Sequence, residues 1–204
     1  ARLVARDGLG RFAADYYNSL NGMYAAENAE KLSQAYRHVL NVTTHSAKRE
    51  IQAILSTRAL VKDAAVESEI AAFGGHLESA QISFPKDANL IYKKLCRNLG
   101  ATPQPLALTE AERPLARVVP VRDEGFVCPL SIDYLVEKLG PGVLNELALR
   151  GDAAYEALNF VDGKRTVQEI ALAISAEFGP QNSQHVYDFF SVLERAGLVR
   201  LKKV

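Results

Sequence analysis

The chain has 204 residues, of which 48% are hydrophobic and 24% charged, with 24 basic and 24 acidic side chains and a net charge of zero. Such a length supports one large or two small hydrophobic cores, and the composition is that of an ordinary globular protein. The charge balance argues against a general binder of nucleic acid or anionic membrane, which needs a positive excess or a clustered basic face.

From about Gly8 to Gly100 the pattern predicts helices. Phe12, Asp15, Tyr16, Ser19, Leu20 and Met23 describe one partly apolar face. Leu32, Tyr36, Val39 and Leu40 follow at helical spacing within a stretch, Ala25 to Leu60, rich in strong helix formers. Asn41-Val42-Thr43-Thr44 predicts an interruption, because asparagine and β-branched residues weaken a helix. A further helix is expected to carry Ile51, Ile54, Leu55, Leu60 and Val61. Gly74-Gly75 and Phe84-Pro85 read as turns, and Asp87 to Leu99 as a helix stopped by Gly100.

From Ala101 to Pro120 four prolines, Pro103, Pro105, Pro114 and Pro120, exclude a helix interior and predict a linker. Arg117 to Val121 and Phe126-Val127-Cys128, joined at Asp123-Glu124-Gly125, predict a β-hairpin. Ser131 to Val136 begins a helix that Gly140-Pro141-Gly142 ends. Asp162 to Arg165 forms a turn, and Thr166-Val167-Gln168-Glu169 is a capping box. The helix it starts carries Val167, Ile170, Ala171, Ile174 and Phe178 on one face and stops at Gly179-Pro180. A second helix buries Val186, Phe189, Phe190 and Leu193 and ends at Gly197, and Leu198 to Leu201 alternates as a short strand. The expected architecture is mainly α: a helical region over 1–100, a Pro-rich linker over 101–120, and a small α+β winged-helix module over 121–204.

Motifs for chemistry are sparse. His38 and His45 stand seven apart, two helical turns, too far to chelate one ion, and neither His76 nor His185 has a partner at ligand spacing. Cys96 and Cys128 are too few for a disulfide framework and read as buried thiols, with a single bridge as the alternative. No serine lies in a nucleophile elbow, and Gly8-Leu9-Gly10 is no dinucleotide fingerprint. Lys164 and Arg165 sit in a turn, but Glu169, Glu177 and Asp188 surround the helix pair beyond it, the wrong polarity for a DNA-reading helix. No cofactor and no metal ligand set is expected. Candidate contact residues are Val119, Val121, Phe126 and Val127 on the hairpin, Lys164 and Arg165 in the turn, and Tyr16 and Tyr17 near the start. Core packing is the competing account of the tyrosines.

Three stretches carry a resemblance. Tyr155 to Ile170 is similar to the PqqD-like winged-helix domains, whose helices are joined by an Asp-Gly-x-x-Thr turn and which bind peptides at a hairpin edge. Pro129 to Asp133, then Tyr155 to Thr166, then Ala176 to Pro180, match in order the C-terminal extensions of bacterial di-zinc aminopeptidases of metallopeptidase clan MH. The resemblance implies a non-catalytic accessory region with a protein partner, the family's zinc ligands lying in a catalytic domain upstream. It carries no catalytic residue onto these positions. The alternatives are the C-terminal fragment of an active zinc aminopeptidase and a peptide-recognition module using the hairpin edge. No apolar run approaches the roughly 20 residues that cross a bilayer. Ala1-Arg2-Leu3-Val4 lacks a signal-peptide pattern, so a soluble, cytoplasmic protein is expected, with an upstream signal on a longer precursor as the alternative. The missing initiator methionine suggests processing or the end of a longer chain.

Overall fold

The computed structural model describes residues 2–125 and 130–204. They divide into two compact units, the first ending at Leu106 and the second beginning at Ala107. The protein is mainly helical with a small two-stranded antiparallel sheet, as the coarse pattern predicts.

The first unit packs three helices, α1 (Arg2–Tyr24), α2 (Ala29–Arg58) and α3 (Ala64–Asn98). Each turn between them closes on a capping side chain: Asn28 accepts from the Lys31 amide, and Asp63 from Ala65 and Val66. Such caps satisfy amides that the first helical turn leaves unpaired. Pairs from Arg11 to Glu50 and from Asp15 to Ser46 show α1 and α2 running antiparallel. The α1 face that is buried, Ala5, Gly8, Phe12, Tyr16, Ser19, Leu20 and Met23, follows three- and four-residue spacing. Phe84 of α3 joins the two core clusters of this unit, its ring stacked 4.1 Å from Tyr16 and 5.2 Å from Phe12.

Three expected breaks are absent. α2 passes through 41–44 without interruption, with Val42 and Thr43 buried. The Thr43 and Thr44 hydroxyls donate to the Val39 and Leu40 carbonyls, so their polar atoms are satisfied inside the helix. Gly74-Gly75 and Phe84-Pro85 lie within the single helix α3. Neither glycine takes a positive φ. The helical cost of about 1 kcal/mol per glycine, and about 3 for proline, is outweighed where Ile70, Leu77 and Phe84 pack against α1 and α2.

The second unit contains α4 (Glu112–Leu115), β1 (Val118–Arg122), α5 (Ile132–Leu139), α6 (Val143–Glu146), α7 (Gly151–Asn159), α8 (Val167–Phe178), α9 (Ser183–Arg195) and β2 (Val199–Lys203). Residues 107–120, expected as connection, thus open this unit, and Leu115 and Val118 belong to its core. Proline bars a helix interior but not burial, and Pro114 sits in the first turn where its missing N–H costs nothing. The capping box is present in both directions: Thr166 accepts from the Glu169 amide, and Glu169 from the Thr166 amide. Gly179, at φ 81°, ends α8, and Asn182 caps α9. Ile170, Ile174, Val186, Phe189, Phe190 and Leu193 fill the space between the two helices.

β1 pairs antiparallel with β2, Pro120 opposite Leu201. The anticipated hairpin arm, Phe126-Val127-Cys128, lies outside the described residues; among the described residues the strand that pairs with β1 is the C-terminal one. The Asp123 amide donates to the Leu198 carbonyl, and the Val204 amide to Arg117. Alternation along the ladder then turns the backbone groups of Val119 and Val121 toward β2 and those of Val118, Pro120 and Arg122 outward. Pro120 is tolerated because its missing donor falls on the outer edge.

Candidate functional site

The candidate residues separate into three places. Tyr16 is only 2% exposed and lies in the core between Tyr17 and Phe84, so it offers no surface. The same burial pushes its hydroxyl up to about 12. Tyr17, one residue on, is 60% exposed. Val119 and Val121 belong to the second unit, where their amides and carbonyls are turned to β2, so neither presents a free backbone edge. Phe126 and Val127 lie outside the described residues.

Lys164 and Arg165 sit together in a built turn. The Asp162 carboxylate accepts from both their backbone amides, at 2.9 and 2.8 Å. These bonds, that from Arg165 first, hold Asp162 below the usual carboxylate range. Gly163, at φ 73°, makes the turn possible. The Arg165 guanidinium lies 5.0 Å over the Phe160 ring, while Lys164 is exposed. Arg165 also pairs with Asp162, Nε to Oδ2 at 3.7 Å, which leaves Lys164 as the exposed cation of this turn ahead of α8.

A second feature escaped the sequence. An apolar cleft of about 440 Å³ opens in the second unit where α5, α6 and α7 meet. α5 contributes Ile132 and Leu135, α6 Leu144, and α7 Ala154, Tyr155 and Leu158, with Phe189 of α9 also lining it. Ile132 is 57% and Tyr155 55% exposed, so the cleft is open at a rim of large side chains. The cation in its lining is Arg150. Its Nε donates to the Leu147 carbonyl at 2.9 Å and its Nη2 to the Leu144 carbonyl at 2.7 Å. The leucines at 130, 135, 144, 147, 149 and 158 were the available signal, but only their meeting in space makes a cavity.

No family model, curated protein or solved structure matches this chain. Its chemistry is therefore argued from geometry. Among the described residues no group of three or more His, Cys, Asp or Glu side chains is placed to hold a metal ion. Cys96 is a buried free thiol, and Cys128 lies outside the described residues. His38 is depressed below its ordinary value by burial in the first unit. Among the described residues no helix is long and apolar enough to cross a membrane.

Proposed function

We propose that the chain is a non-catalytic interaction region, the accessory part of a larger assembly, whose second unit is a PqqD-like winged-helix module that docks a protein partner. The carrying observation is the α8–α9 pair followed by β2, which pairs with β1 over the same core. The exposed turn of Lys164 and Arg165 stands at the entrance to that helix pair, fixed by Asp162. An exposed lysine on a turn held by hydrogen bonds suits an acidic patch on a partner, where charge sets orientation and encounter rate. The sequence blocks at 129–133, 155–166 and 176–180 favour the catalytic domain of a di-zinc aminopeptidase as that partner, in the same polypeptide or bound to it.

Mass spectrometry of the protein from its source cells tests this reading. Under native conditions the expected species is heavier than the 22.3 kDa chain. Under denaturing conditions it should resolve into either one longer polypeptide or this chain with a zinc-binding component. A species with the mass of one chain, or of two identical chains, overturns the proposal. Lys164→Glu should weaken a bound partner while leaving the melting temperature unchanged.

A further inference from the structure

Among the described residues, none of the basic turn lines the cleft between α5, α6 and α7. Its volume of about 440 Å³ is that of a small-molecule site, which ranges over about 300–1,000 Å³. Leucine, isoleucine and phenylalanine side chains form most of the wall, and two of the largest rim residues are exposed to water. Removing such surface from water is favourable, so an apolar occupant suits the cleft.

Arg150 defines the other end of that occupant. Two of the five N–H groups of its guanidinium are held by the Leu144 and Leu147 carbonyls, which fixes its plane. The remaining three are on Nη1 and Nη2, the edge that matches the two oxygens of a carboxylate. Among the described residues no Asp or Glu pairs with it. Arg150 is exposed, so water solvates this charge at the mouth of the cleft until a ligand covers it. A cationic or neutral ligand would leave it without a countercharge.

We propose that this cleft binds an amphipathic monocarboxylate, a fatty acid of medium chain length, with its tail among the leucines and its carboxylate on Arg150. A peptide ending in a carboxylate shares the charge but fits less well. Each of its buried amides would need a hydrogen-bond partner. Among the described lining residues only Arg150 and Tyr155 carry a polar side chain. A hydrocarbon tail makes no such demand.

Calorimetric titration of the full chain with decanoate, 1-decanol and decyltrimethylammonium, below any micelle-forming concentration, and with trileucine as the peptide, tests the assignment. Among the three decyl compounds the tail is constant while the head group changes charge. Decanoate should saturate one site per chain and bind at least about tenfold more tightly than decanol, as expected of a charge-assisted carboxylate contact. The cation should bind more weakly still. Arg150→Gln should remove the preference for decanoate and leave decanol unchanged. Because that substitution also touches two backbone carbonyls, Ile132→Glu at the exposed rim provides an independent variant. It should abolish decanoate binding with an unchanged circular dichroism spectrum. Equal affinity for decanoate and decanol, absence of saturable decanoate binding, unaltered binding in Ile132→Glu, or tighter binding of trileucine than of decanoate overturns the proposal.

Discussion

Glu50 is the residue around which the polar contacts of the first unit are arranged. Its side chain is buried, and it accepts from Arg11 through both oxygens, at 3.1 and 2.5 Å, and from Arg49 at 3.2 Å. A buried carboxylate is tolerable only when paired in this way. Gly8 makes room for it: a Cβ there would stand 2.9 Å from Glu50 Oε2. Gly10, two residues on in the same helix, has nothing within 4 Å of that position. Alanine is favoured over glycine in a helix by about 1 kcal/mol. Gly10→Ala should therefore raise stability by up to that amount, whereas Gly8→Ala should gain less or lose, because the ion pair must shift. Urea unfolding of both variants measures the difference, and an equal gain would show that the carboxylate is not held where the structure places it.

At the scale of elements, α2 couples stability to pH. Burial holds the His38 imidazole below its ordinary value of 6.5. The unfolded chain therefore takes up a proton more readily than the folded helix. The stability this group contributes is fully present above about pH 6.5 and is lost as pH falls toward the lower folded value. His38→Gln should flatten this part of the profile, so the wild type loses more melting temperature than the variant between about pH 7.5 and about pH 5. Parallel losses would remove His38 as the cause. How far such elements could be read in advance varied with the kind of signal. α8 and α9 were legible because Thr166, Glu169, Gly179 and Gly197 act locally, and local chemistry is written in adjacent residues. α3 was not, because Gly74-Gly75 and Pro85 are breakers whose cost is overridden by Phe84 stacking on residues of another helix. The partner of β1 was missed for a related reason: the chain end that pairs with it is remote in sequence. Likewise, Tyr16 and Tyr17 have the same side chain, and only the packing of α1 sends one inward and the other out.

At the scale of the molecule, two units hold separate cores, with Phe12 fully buried in the first and Phe189 in the second. Emptying a buried aromatic site costs on the order of 3–5 kcal/mol, a large part of the stability of a small domain. Phe12→Ala should accelerate amide hydrogen exchange across α1 to α3, and Phe189→Ala across α8 and α9. Each effect is read by mass spectrometry of peptic fragments. Unchanged exchange in α8 and α9 of Phe189→Ala would mean that the second core is not organised around α9. The basic turn and the cleft both lie in that second unit, and substitutions at the exposed Lys164 and Ile132 should leave its packing intact.

The strand pair also limits how copies of the chain meet one another. On β1 the outward-facing Pro120 has no donor to offer, and on β2 the outward amide of Leu201 is already taken by the Glu194 carboxylate at 2.7 Å. A ribbon with open edges is a template for adding further strands, the first step toward cross-β fibrils. Among the described residues each edge of this ribbon is blunted at its centre by one residue, which works against such growth along it.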